Sequence, residues 1–261
     1  MHNRTWYFVL RRIFLVTAYD GTKYSGWQIQ PDKETVEGTL NRELSRFLNE
    51  DIHVIGASRT DAGVHALGSV CVFDTNSPIP AGKFANALNT SLPADIRIMK
   101  SFEVAPDFHP RKVPCRKTYE YRIWQDEFMD PTRRLYYHHV YTKLDIMAMQ
   151  EAAAAFIGEH DFAGFCSCHT AALTTVRTVY DAGVRMGEDN REIIISVTGS
   201  GFLYNMVRII AGTLIDAGRG KISPKDVPGI ISACDRNLAG DTAPANGLFL
   251  VGYEYENLKI L

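Results

Sequence analysis

No stretch of this chain is apolar for long enough to cross a bilayer. The opening MHNRTWYFVLRRIFLV is only briefly apolar, is interrupted by Arg11 and Arg12, and has no small-residue cleavage site, so it does not read as a secretory leader. Cysteine is scarce and odd in number. Cys71, Cys115, Cys166, Cys168 and Cys234 sit in a chain of 261 residues, too large to need disulfide staples, and reduced thiols in a soluble, cytoplasmic protein are expected. An excess of one charge is also missing. With 28 Lys and Arg against 30 Asp and Glu, a net charge of -2, the chain does not coat nucleic acid through bulk charge, although a local basic groove stays open. Short-period repeats and low-complexity segments are absent, which excludes a solenoid or a long disordered tail.

What is present is ordinary globular material, 46% hydrophobic and 22% charged, enough for a sizeable core and best divided into two domains. RRIFLVTAYD, residues 11–20, is β-branched and aromatic and ends at a Gly-containing turn: a first strand. Thr35 reads as the N-cap of an amphipathic helix with Val36, Leu40, Leu44 and Phe47 at helical spacing. DIHVIGAS and ALGSVCVFDT read as strands flanking the turn RTDAGVH, residues 82–92 as a short helix, and ADIRIMKSFEV as another strand. Composition changes near Asp107, where FHPRKVPCRKTYEYRIW carries five Arg or Lys against one Glu, and this sets a boundary between residues 1–108 and 109–261. The second half opens with a strand over 117–124. The helix LDIMAMQEAAAAFIGE, the strands TTVRTVYDAGVRM and REIIISVTG, the helix GFLYNMVRIIAGTLIDAG ended by Gly218, and the short helix PKDVPGIISACD follow. Strands joined by helices in both halves predict an α+β fold, with helices on one face of a large, mostly antiparallel sheet.

The densest polar chemistry is Arg59-Thr60-Asp61-Ala62-Gly63-Val64-His65, on a loop between two expected strands. Asp61 has two readings there. An Asp in a tight turn bonds nearby backbone amides, whereas a carboxylate beside an arginine is held ionised and serves as a nucleophile. Arg59 reads equally as an exposed side chain on a phosphate. Tyr119 and Tyr121, in KTYEYR, face one side of a strand and suit half-buried sheet positions. Arg208 interrupts the apolar run MVRIIAGTL, which demands either a partner or a snorkelling path to water.

YDGTKYSGWQIQ, TVEGTL, SRTDAGVHA, FHPRK, RKTYEYRI, GEHDFAGF, GFLYNMVRIIAGTL and NGLFL occur in an order similar to that of the tRNA pseudouridine synthase A family, over residues 14–253. Ser58, where that family more often has Gly, and Lys112, where it more often has an aromatic residue, depart from the pattern. The resemblance implies two similar ferredoxin-like halves forming one sheet, the pseudouridine synthase fold. It implies an isomerase that converts uridines 38, 39 and 40 of the tRNA anticodon stem-loop to pseudouridine, with no cofactor and no metal. By the same resemblance Asp61 is the catalytic carboxylate and Arg208 its ion-pair partner. Tyr119 is the ring on the target uracil and a candidate for handling the C5 proton. Arg59 fills the space of the flipped base, and Leu248 lines the uracil pocket. A homodimer holding tRNA is also implied.

Phosphate contacts are expected from Arg111, Lys112, Arg116 and Lys117, with Arg133, Arg134, Arg11, Arg12 and Lys23 as further candidates. Cys166-x-Cys168-His169 is half a metal site without a second pair at zinc spacing. His160 and Asp161 follow a helix and are expected to cap or brace it. Asp20-Gly21 is a turn signal, shaping a loop near the RNA. Two other functions compete: a non-catalytic tRNA-binding protein, and a nucleoside hydrolase, which would need a second carboxylate opposite Asp61.

Overall fold

The computed structural model describes residues 10–167, 173–256 and 258. In chain order the elements are β1 (Arg11–Tyr19), α1 (Val36–Leu48), β2 (Ile55–Gly56), β3 (His65–Thr75), α2 (Phe84–Leu88) and β4 (Ile96–Val104). Then come β5 (Cys115–Gln125), β6 (His138–Val140), α3 (Ile146–Ala154), β7 (Gly158–Asp161), β8 (Val176–Met186), β9 (Glu192–Gly199), α4 (Met206–Gly218), α5 (Val227–Ala233) and β10 (Leu248–Tyr255).

All ten strands join one sheet, ordered β4-β1-β3-β10-β5-β9-β8-β7, with β2 on β3 and β6 on β5. The fold is α+β. Pairings are antiparallel except β3 with β10 and β5 with β6. In β4-β1-β3-β2 the first strand of the half lies between the fourth and third, and β10-β5-β9-β8 repeats that order. The two sets meet where β10 runs parallel to β3, through Phe249 opposite His65 and Leu250 opposite Ala66. The last strand of the chain therefore lands beside the loop that carries Asp61.

Local chemistry explains most element ends. Thr35 caps α1, its side chain accepting from the Gly38 amide, and Val36, Leu40 and Leu44 are buried beneath it. Asp145 caps α3 by accepting from the Met147 and Ala148 amides. Helix α4 is buried over most of its circumference, and Ile209, Ile210 and Leu214 are wholly enclosed. Each such side chain contributes about 1.5–3 kcal/mol relative to exposure.

Several expectations are corrected. The segment expected to be helical from Gly201 is irregular as far as Asn205, whose left-handed backbone (φ 63) delays α4 to Met206. The helix expected over 82–92 contracts to Phe84–Leu88, because the Asn89 side chain turns to bond both backbone groups of Ile98. His160 and Asp161 sit on the short strand β7, paired with β8, rather than at a helix end. Cys168 and His169 lie outside the described residues.

Candidate active site

The loop between β2 and β3 is closed by backbone alone. The Val64 N–H donates to the Asp61 carbonyl at 3.1 Å, and Gly63 adopts a left-handed φ of 76. Among the described residues no backbone amide donates to the Asp61 carboxylate, so the turn leaves that group free. The loop is held from outside by the YDGTKYSGW segment. Trp27 N–H donates to Thr60 O (3.0 Å), Gly63 N–H to Tyr24 O (3.3 Å), and Gly21 N–H to His65 Nδ1 (3.1 Å). A Cβ on Gly21 would lie 2.0 Å from the Val64 carbonyl, so only glycine permits this approach. The Asp20-Gly21 turn thus bears directly on the Asp61 loop.

His65 is enclosed, and burial lowers its pKa. Its Nδ1 accepts from Gly21 and its Nε2 donates to the Leu135 carbonyl (3.0 Å), the pattern of a neutral imidazole. It lies on the Phe249 ring, tying the start of β3 to β10.

Above this support is a cleft of about 740 Å³. Asp61 opens into it, with 19% of its side chain exposed, and Arg208 Nη1 stands 3.5 Å from Asp61 Oδ2. That separation is an ion-pair distance, longer than a good N–H···O bond. Burial raises the Asp61 pKa above the ordinary carboxylate value, and the Arg208 charge opposes this without cancelling it. Tyr119 is buried beside the cleft, edge-on to Phe202 with ring centroids 5.2 Å apart, and burial, then Tyr19 and Asp61, push its phenol well above its usual range. Tyr121 is fully enclosed and donates to Pro244 O. Leu248, the first residue of β10, lines the cleft with Asp61.

The basic candidates separate. Arg59, Arg111, Lys117 and Lys33 line the cleft together with Arg208. Arg111 spends its Nε on the Gly56 carbonyl (2.9 Å), and Lys117 Nζ lies 5.7 Å from the Tyr253 ring centre. Lys112 and Arg116 do not line the cleft. Strand alternation turns Arg116 away from the face shared by Lys117 and Tyr119, and its guanidinium lies over Tyr180. Arg11 pairs with Glu103, Arg12 with Asp74, and Arg133 with Glu192. These three serve the fold.

Sequence reading missed Phe202, Tyr204 and Asn205, which line the cleft because the start of α4 is delayed. The available signal was an Asn, one of the few residues that tolerate positive φ, four residues after Gly201. Among the described residues lining the cleft, Asp61 is the only carboxylate. Among the described residues no group of three or more His, Cys, Asp or Glu side chains gathers as a metal site.

A family model described as tRNA pseudouridine synthase matches residues 15–111 and 152–256. The tRNA pseudouridine synthase A of Caldicellulosiruptor bescii is 46% identical over 94% of this chain and 100% of its own length. That of Ruminiclostridium cellulolyticum is 48% identical over the same shares, and that of Brevibacillus brevis 48% identical over 92% and 97%. Among solved structures, a Cbf5-Nop10-Gar1 complex is similar at a TM-score of 0.33 and 13% identity, covering 78% of this chain and 54% of that one.

Proposed function

The chain belongs to the tRNA pseudouridine synthase family, and on that premise we propose that Asp61 is the carboxylate through which it isomerises uridines of the anticodon arm. The activity is conversion of uridine in tRNA to pseudouridine: the C1′–N1 bond breaks, the base turns, C1′ bonds C5, and the C5 proton is lost while N1 gains one. The observation that carries the reading is a lone carboxylate, free of backbone bonds, open to a cleft and facing Arg208 at 3.5 Å.

A cleft lined by Lys33, Arg59, Arg111, Lys117 and Arg208 against one acid suits a polyanion, in a chain with no overall positive charge. Chemistry on a base requires taking it out of its stack, at a cost of roughly a few kcal/mol. Arg59, exposed at the mouth, fills the vacated space, and Tyr119 stacks on the flipped uracil, worth roughly 1–3 kcal/mol. The strongly raised phenol pKa supports this stacking role over that of a base in the free enzyme. In its ionised form Asp61 attacks or steadies the sugar carbon as the glycosidic bond opens, and Arg208 favours that form. The targets are uridines 38, 39 and 40, and two copies of the chain hold one tRNA. A hydrolase that uses paired carboxylates is disfavoured by the single acid in the cleft. A binding-only protein would have no use for a carboxylate aimed at an anionic ligand.

The test is a carbodiimide primer-extension assay on unmodified tRNA. The wild-type protein is expected to give stops in the anticodon arm, and Asp61→Ala none, a loss of roughly ten-thousandfold or more, while tRNA binding survives. Stops elsewhere would overturn the site of action, and an active Asp61→Ala would overturn the role of Asp61.

A further inference from the structure

We propose that Asn205 is a positioning residue for this isomerisation, its side-chain amide aiming the Arg208 guanidinium at Asp61 and anchoring it to Ser167. The inference rests on the reading of Asp61 given above. Asn205 occupies the N-cap of α4, where an Asn side chain ordinarily accepts from a first-turn amide. It makes no such bond. Instead its Oδ1 accepts from Arg208 Nη1 at 2.8 Å and its Nδ2 donates to Ser167 Oγ at 2.8 Å.

Nη1 is also the nitrogen that faces Asp61, so one of its two hydrogens is taken by Asn205 and the other is left for the carboxylate. At the other side of the guanidinium, Nε donates to the Ala243 carbonyl at 2.7 Å. That carbonyl is itself fixed, because the Ala243 N–H donates to Arg208 O and the neighbouring Gly240 N–H donates to Thr213 Oγ1. Ala243 and Asn205 together leave the guanidinium little rotational freedom, and Asn205 alone does so through a side chain.

An Asn with φ 63 has a second explanation, since asparagine tolerates the left-handed region better than most residues. Were backbone tolerance the whole reason, glycine would serve equally well. That makes Asn205→Gly the informative variant: it keeps the backbone conformation accessible and removes only the amide. The groups around the pair are Asp61 on its loop, Tyr119 and Tyr121 on β5, both held neutral by burial, the cations Arg59 and Lys117 in the cleft, and His65 at the start of β3, whose pKa burial lowers. Of these groups only Asp61 pairs with Arg208, so a shift of the acid limb on disturbing that pair reports Asp61.

The experiment measures kcat, KM for unmodified tRNA and the pH profile of the full-length protein. Asn205→Gly is expected to lower kcat roughly ten- to a hundredfold, the size of losing a hydrogen bond to a charged group. KM stays unchanged, and the acid limb moves to higher pH. Asn205→Asp keeps an acceptor for Arg208 but adds a competing negative charge, and should move the limb further. In an Arg208→Gln background, Asn205→Gly is expected to have no additional effect. Wild-type kcat and pH profile in Asn205→Gly would overturn the proposal, as would an equal loss in the Arg208→Gln background. An active Asp61→Ala would instead remove the reading beneath it.

Discussion

Arg12 and Lys117 are both cations on strands of one sheet, and the fold treats them oppositely. Arg12 places its Nε and Nη2 on Asp74 at 2.7 Å each and its Nη1 on the Phe108 carbonyl at 2.8 Å. Its charge is consumed internally, and the fork geometry makes it a brace between β1, β3 and the segment after β4. Lys117 is half-buried in the cleft with no carboxylate partner among the described residues, and burial lowers its pKa. A desolvated cation left without an anion is unfavourable in the free protein, and an incoming phosphate relieves it. Counting lysines and arginines therefore says little about where RNA binds; what separates the two classes is whether the fold has already supplied the counter-charge.

Arg208 stands between these classes, paired with a carboxylate yet exposed to the cleft, and its removal gives the largest effect among the cations. Arg208→Gln is expected to lower kcat about a hundredfold, in the range for losing a preorganised charged donor. The acid limb should move with it. The folded-state pKa of Asp61 is raised by burial and pulled back by Arg208. Without the guanidinium it rises further, and activity, which needs the ionised form, is lost at a higher pH. The stability contribution runs the other way: it is fully present at low pH and declines as pH rises through the folded-state value. An unmoved acid limb in Arg208→Gln would show that the pair does not govern ionisation.

A middle-sized effect is expected from Lys117→Gln combined with Arg111→Gln. Filter binding should show tRNA affinity falling roughly tenfold, and the slope of log affinity against log salt flattening by about one to two. Turnover at saturation should change little. If the salt slope is unaltered, these cations do not meet phosphates and the contrast with Arg12 fails. The smallest functional effect belongs to Arg12→Ala. Its bidentate pair is mostly shielded, with side chains 16% and 35% exposed, so a thermal melt should show a loss of about 1–2 kcal/mol while kcat and KM hold. A drop in tRNA affinity there would put Arg12 among the RNA contacts after all.

Legibility in the sequence followed the strength of local signals. The strands β1, β3, β4, β5, β8 and β9 carry β-branched and aromatic runs bounded by turn residues. Helix α1 has both a capping Thr35 and a clean apolar stripe, so its start is placed to the residue. Strands β6, β7 and β10 escaped. The first pairs over three residues, GEHD of β7 is polar because it forms the edge of the sheet, and β10 contains Gly252. Strands β6 and β7 exist because a neighbouring strand offers its edge, a long-range condition that no local pattern records, whereas LFLVGYEY carries an aromatic and β-branched strand signal interrupted by Gly252. The start of α4 was misplaced because Phe202 and Leu203 run on into the apolar pattern of the helix although Gly201 and Asn205 are weak helix formers, and the bonds from Asn205 to Arg208 and Ser167 show how the segment is held out of the helix.

Composition, periodicity and turn chemistry by themselves determined the α+β class, most of the elements and the loop that presents Asp61. Those properties depend on residues within a few positions of one another. Which cations keep no internal counter-charge, the distance between residues 61 and 208, and the delivery of Leu248 to the cleft were decided only by the tertiary structure. Each depends on groups far apart in the chain, brought together by β10 joining β3 and by carboxylates such as Asp74 and Glu192 claiming some arginines and leaving others.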